Sequence, residues 1–541
     1  MKTFNILAFA FFFGSFTQAQ TLADAIKKTE NERYDVAGKE FRALIAKEPT
    51  RADYYFYYGE NFCEHEDLDS ANMMWKKGVE IDPLNALNHI GLGKYLWFIG
   101  DTTAANVHLL KASTMTKNKN AEVMRQTAIV WIRTPKMKKI NAAIALLDKA
   151  IKLDDKNPEN YILLGDAYLA HTPENVNAAI SNYNLALGLN PKSPKTIVRT
   201  GKLYQRSANY ELANSKYIEA QTIDPSYAPA YRENAELNMK FNQSAKAIEN
   251  WKKYLALNNS IDARYRYATS LFSGKKYCEA IVELLAVQAS GFNNYYIERM
   301  LTYCYLECTE GNTAESFKKG LTASEKFFSM IPNDKILASD YKYKGLLLSK
   351  TGSDSLAIIE LEKAYTIDPE KNRELMGDVA KMQMKAKKYD AAIVSYNLKM
   401  NSNSTNLSAN ELFDLGRAYY FGPKNYVLAD SCYKSINLRS PSFALAYFWR
   451  ARSCHKIDEK KDKWLAQPHY EKYLELLTPE ETSNPNNKAF IIEAAKYLGD
   501  YYVNSVEGKD YAKAKIYWEK VKALDPADKQ VAAFFASPAG K

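Results

Sequence analysis

Cysteine and histidine are both scarce in this chain, with six of each among 541 residues. The histidines are His65, His89, His108, His171, His455 and His469, and none stands in a His-Glu-x-x-His run or another ligand spacing. Metal-dependent hydrolysis therefore has no footing. Gly-x-Ser-x-Gly and Walker sequences are missing as well. Gly91 and Gly93 form a Gly-x-Gly, but they fall inside a helical pattern and not after a strand, which removes the phosphate-loop reading. The run Cys63-Glu64-His65-Glu66-Asp67 sits where a helix ends and reads as a solvated acidic turn. The expectation is a non-enzymatic protein with no catalytic residues, no metal and no cofactor.

Charge of one sign and long apolar runs are equally lacking. Lys and Arg number 73 against 63 Asp and Glu, a net charge of +10 without any basic run. No nucleic-acid partner is expected from that balance, and the mild excess would steer acidic partners. The longest apolar stretch is Ile6–Phe13, too short to cross a bilayer, and no second one follows. With Lys2 before it and Ser15-Phe16-Thr17-Gln18-Ala19 after it, it has the form of a signal peptide over residues 1–19, with Gln20 starting the mature chain. An exported protein follows, periplasmic or envelope-associated and without a direct membrane span.

What the chain has in abundance is aromatic side chains, 39 Tyr and 23 Phe, set on a period of about 34 residues. From Ala52 the pattern is Tyr55, Tyr58, Gly59, Phe62, Ala71, Trp75, Gly78, Pro83. It returns at Leu92, Gly93, Leu96, Ala105, Leu109, Ala112 and at Tyr161, Leu164, Gly165, Tyr168, Ala179, Tyr183, Ala186, Pro191. Bulky residues three and four apart make one stripe on a helix, and the small residues mark where two helices cross closely. In several units a proline, such as Pro83 or Pro191, ends the second helix. This spacing resembles the tetratricopeptide repeat (TPR) family over roughly the whole mature chain. The resemblance implies an all-α, right-handed superhelix (α-solenoid) of about fourteen helix-turn-helix units, serving to bind other proteins or peptides, and leaves the oligomeric state open.

Departures from the repeat suggest boundaries: an N-terminal array over 20–291, an irregular helical repeat over 292–337, a C-terminal array over 338–528 and a tail or short capping helix over 529–541. The irregular repeat has no small residue at its first-helix glycine position, and its second half, Gly311 to Ile331, is long. Residues 401–406 (Asn-Ser-Asn-Ser-Thr-Asn) read as a loop. Cys432 and Cys454 flank a turn at nearly equal distance, as do Cys278 and either Cys304 or Cys308. Export would favour a bridge in each case.

In TPR proteins first-helix side chains line an inner, concave face, and the resemblance carries that role onto set offsets here. It implies a C-terminal partner-binding group of Phe413, Arg417, Tyr420, Phe421, Phe448, Arg452 and His455, with Lys456 beside it. A basic middle patch of Lys195, Lys202 and Arg206 would grip carboxylates. Aromatic residues and arginine are the types that dominate binding hot spots, which favours the C-terminal group. A chaperone-tail clamp is not supported, since Val198, Lys202, Pro229 and Glu233 occupy the relevant places.

Overall fold

Helix starts in this chain are written into its polar residues. Asn85 Oδ1 accepts from the Asn88 amide at 3.0 Å, Asp101 does so from Ala104 at 3.0 Å, and Ser193 caps a helix that opens with Pro194. Each satisfies an amide that the first turn would leave unpaired. Helix stops inside a unit use a three-residue turn whose middle residue is left-handed, as with Glu66 (φ 64°), Ala208 (φ 58°) and Asn242 (φ 56°). The following amide then folds back on the helix just ended: Asp67 donates to Phe62 O at 2.9 Å, Asn209 to Tyr204 O at 2.8 Å and Gln243 to Asn238 O at 2.9 Å. Such a turn reverses the chain and lays the next helix antiparallel on the first.

A computed structural model describes residues 21–134, 139–172, 175–311, 313–400 and 407–541. The expected signal peptide, Gln20 and the polar stretch 401–406 lie outside them. The chain divides into two compact units between Asn293 and Asn294. In the first unit, successive helix pairs cover 22–47, 52–81, 86–115, 121–153, 158–189, 194–223, 228–257 and 261–289. In the second, pairs cover 295–330, 338–367, 375–400, 409–439, 444–476 and 488–524, and the short helix Lys529–Ala536 packs on the last of them. No strand occurs among the described residues. None of the described helices is long and apolar enough to cross a membrane.

The core is a row of local clusters and not one centre. Phe41 with Tyr58, Phe56 with Trp75, Ile90 with Leu109, and Leu147 with Leu164 each belong to a cluster that closes the gap between neighbouring helices. Stability in such an array is built from each pair and its contacts with the next. The pair 295–330 carries its small residue differently: its second helix, Ala314–Met330, runs to 17 residues. Gly320 lies within it, and a Cβ there would come 3.0 Å from Tyr305 and from Leu347. The close approach is made from the second helix instead of the first.

The cysteine expectation needs correction. Cys432 and Cys454 are both buried free thiols. Cys432 is sunk in the apolar cluster around Tyr433 and Ile436, while Cys454 Sγ is directed at Asp430 Oδ1, 3.9 Å away. Equal distance from a turn set the two residues at one level without turning their side chains together. Cys304 is likewise a buried free thiol, whereas Cys278 and Cys308 are both disulfide-bonded, so of the two partners expected for Cys278 it is Cys308 that stands.

Candidate functional site

First helices of consecutive pairs in the second unit turn one row of side chains into a shared groove of about 780 Å³. Tyr420 and Phe421 come from Ala409–Phe421, and Arg452, His455 and Lys456 from Ala444–Ile457. Lys488–Asn504 adds Glu493, Lys496, Tyr497 and Asp500, while Trp518 and Phe534 close the far end. Most of its charges are already matched. Arg452 makes a bidentate pair with Glu493, at 2.8 Å and 2.6 Å, and Tyr470 donates to the same carboxylate at 2.8 Å. The Glu493 hydrogen bonds hold the guanidinium above its ordinary range, against the opposing effect of burial. Lys461 pairs with Asp500 and Lys496 with Asp528. Lys456 has only the exposed Glu459, one helical turn away at 2.8 Å, so it is the groove's least committed cation.

His455 lies edge-on to Tyr497 with ring centroids 5.1 Å apart. Burial pushes its imidazole below the usual histidine range, and Lys461 and Lys456 add to the effect. At neutral pH it offers one hydrogen-bond donor and one acceptor and no charge. Tyr420 stands against Trp449 at 5.3 Å and Tyr426 at 5.1 Å, and burial raises its phenol above the ordinary value. Phe421 is 42% exposed, an open aromatic edge at the mouth.

Four residues of the expected C-terminal group, Tyr420, Phe421, Arg452 and His455, are thus brought together. Phe448 is not among them and is withdrawn as a contact residue, because it is fully buried. Its ring is covered by Phe490 at 4.7 Å and Tyr473 at 5.1 Å. Phe413 packs edge-on between pairs, against Tyr433 at 5.5 Å and Phe443 at 6.1 Å. Arg417 stays outside the groove beside Asp414, 3.7 Å away. Reading offsets missed Glu493, Tyr497, Trp518 and Phe534, which belong to later helices whose starts are shifted by insertions.

The basic middle patch is not a free cationic surface. Lys195 reaches Glu159 at 2.6 Å and Glu30 at 3.1 Å, and Lys202 reaches Glu233 at 3.0 Å. Burial opposes the Lys195 charge, but Glu159 and Glu30 outweigh it and raise its pKa above the ordinary lysine range. Arg206 is exposed and donates to the Leu169 carbonyl at 3.2 Å, while Lys202, also exposed, is held by its ion pair. Glu159 and Glu233 belong to neighbouring repeats, but Glu30 arrives from the N-terminal pair, which latches onto helices some two hundred residues on. Arg232 donates twice to Glu32, at 2.9 Å and 3.2 Å, and Tyr254 donates to it at 2.9 Å. Asn31 reaches Ser226 at 3.2 Å and Lys27 reaches Asp224 at 3.5 Å. Replacing Glu32 by alanine would strip Arg232 and Tyr254 of their shared acceptor, at a cost of about 1.5–3 kcal/mol. Amide exchange in Leu22–Glu30 should then speed up at least tenfold, and unchanged protection would show that the latch contributes nothing.

Where a first helix carries a glycine at the repeat position, a large side chain of the second helix lies against it. A Cβ on Gly59 would fall 2.3 Å from Trp75, on Gly165 2.6 Å from Tyr183 and on Gly201 2.6 Å from Tyr217. On Gly345 it would fall 2.7 Å from Leu361, on Gly416 2.7 Å from Tyr433 and on Gly499 2.6 Å from Trp518. Real Cβ atoms do not come so close, so the glycine is a condition of the seam. The repeat spacing is thereby realised as packing, unit after unit. The chain folds as a TPR-type array of antiparallel helix pairs. No protein-family model matches it, and no curated protein does. Among solved structures, it is similar to the C-terminal part of a TPR repeat-containing protein from Cytophaga hutchinsonii, at 29% identity over 50% of this chain and 98% of that one, with a TM-score of 0.37. A thermophilic TPR protein of Thermus thermophilus is 20% identical over 34% of this chain and 98% of its own, with a TM-score of 0.30. PilF of Pseudomonas aeruginosa is 19% identical over 40% and 95%, with a TM-score of 0.28.

Proposed function

We propose that this TPR protein is an exported, non-enzymatic scaffold of a cell-envelope assembly, and that its C-terminal groove holds an extended segment of a partner protein. The observation that carries the reading is the groove itself, where Tyr420, Phe421, Tyr470, Tyr497, Trp518 and Phe534 surround charges already paired within the chain. Tyr470, Tyr497, Trp518 and Phe534 are buried and form the groove's rigid wall, while Tyr420 and Phe421 keep open area on a rigid helix and offer contact at little ordering cost. Internal ion pairs mean that an added charge on the partner gains little, except opposite Lys456. The segment that fits best is apolar or aromatic, with one carboxylate for Lys456 and a backbone group for His455. Export is supported by the signal-like residues 1–19.

Lysine-directed cross-linking of the mature chain in envelope fractions tests the reading. One stoichiometric partner cross-linked at Lys456, Lys461 or Lys496 is the expected result. Cross-links confined to lysines elsewhere, or a broad set of weakly held proteins, would reject it.

A further inference from the structure

Outside the groove, three side chains of different helices converge in a way that no sequence spacing announces. Asp430 lies on Tyr426–Arg439, Cys454 on Ala444–Ile457 and His469 on Gln467–Leu476. A carboxylate oxygen, the sulfur and an imidazole nitrogen from these three lie within 4.8 Å of one another. All three also line a cleft of about 1240 Å³ between helices of the second unit. We propose that Asp430, Cys454 and His469 form a binding site for a zinc-class divalent transition ion, which pins three successive helices together.

The donor set points to the class of ion. Sulfur together with imidazole selects zinc and its first-row neighbours, whereas magnesium and calcium take oxygen donors alone. Bonds of about 2.0–2.3 Å in a tetrahedral arrangement bring donors to about 3.3–3.6 Å apart. Closing the present cluster to that size takes a shift of about an ångström in side chains that sit on helix surfaces, without moving the helices. Arg450 Nε donates to Asp430 Oδ1 at 2.9 Å and fixes the carboxylate's orientation. Outer hydrogen bonds of this kind accompany ligating carboxylates. Three protein donors leave a fourth position, and the cleft gives water access to it.

The same residue types build nucleophile triads, but there the imidazole stands between thiol and carboxylate. Here the Cys454 thiol is directed at Asp430 itself, 3.9 Å away, and it is buried. A sulfur held against a carboxylate with an imidazole alongside fits an ion placed among the three, not an attack on a substrate.

The test is a cobalt(II) titration of the full mature chain under reducing conditions, followed by near-ultraviolet absorption. A thiolate-to-cobalt charge-transfer band saturating at one ion per chain is expected, together with visible bands of tetrahedral intensity and displacement by zinc. Cys454→Ser should abolish the band, and His469→Ala and Asp430→Asn should each weaken binding at least tenfold. Cys432→Ser, which alters another buried thiol of the same cluster, should leave it unchanged. If Cys454→Ser fails to fold, His469→Ala decides, because that side chain is only partly buried. No band in the parent protein, or a band that survives His469→Ala at full affinity, would overturn the assignment.

Discussion

Replacing Trp75 by alanine should cost about 3–5 kcal/mol and loosen the first helix pairs while leaving the C-terminal ones folded. The indole is fully buried and serves two pairs at once. On one side it fills the space that Gly59 leaves, and on the other the space beside Gly91, where a Cβ would fall 2.3 Å from the ring. Its Nε1 donates to the Phe56 carbonyl at 3.1 Å, so truncation also orphans a buried acceptor. Lys94, fully buried in its ion pair with Glu60, lies with its Nζ 5.9 Å from the indole centroid and would lose that cover. Because an array couples chiefly nearest neighbours, the damage should stay local. Hydrogen exchange is the measurement: protection should fall across residues 34–115 and persist across 444–524. Gly91→Ala should act in the same region from the opposite cause, overfilling a seam that alanine would otherwise empty. A loss of under 1 kcal/mol, or one spread evenly along the chain, would mean that the seam is not what holds these pairs.

The seam was legible in the sequence because it is local. Gly59 and Trp75, or Gly201 and Tyr217, stand sixteen residues apart in one unit, and repetition makes their pairing unmistakable. Tyr420, Phe421, Arg452 and His455 could be placed for the same reason, since an offset within a unit fixes the direction of a side chain. What could not be read was whatever arrives from elsewhere. Lys195 looked like a free cation until Glu30 came to meet it, and Arg232 answers to Glu32, two hundred residues earlier. Phe448 stood at a groove offset, but insertions after its helix bring Phe490 back over it. Asp430, Cys454 and His469 are scattered over forty residues and three helices, so no motif could join them.

Changing Tyr420 and Phe421 together to alanine should weaken partner capture by about 100-fold, while Arg417→Ala should change it less than about twofold. Removing an aromatic hot spot typically costs about 2 kcal/mol or more, and each 1.4 kcal/mol is a factor of about ten. Full additivity of two rings would give about three orders of magnitude, and Phe421, 42% exposed at the groove mouth, contributes less than a fully buried ring, which leaves about two. Both alanines favour the helix, and Phe421 is already 42% exposed, so circular dichroism should show the helical content retained. Arg417 is the informative control. It belongs to the same helix, has the residue type of a hot spot and carries side-chain exposure of 43%, but its nearest partner is Asp414 and it does not line the groove. If Arg417→Ala abolished capture and the double variant did not, the partner would be held on the outer side of this helix and the groove assignment would fall. Arg452 is the poorer probe, since its loss strands Glu493 and Tyr470 and would confuse a binding defect with a packing one. Titration calorimetry with the cross-linked partner segment separates the two: a groove defect lowers affinity with the melting temperature unchanged, whereas a packing defect moves both.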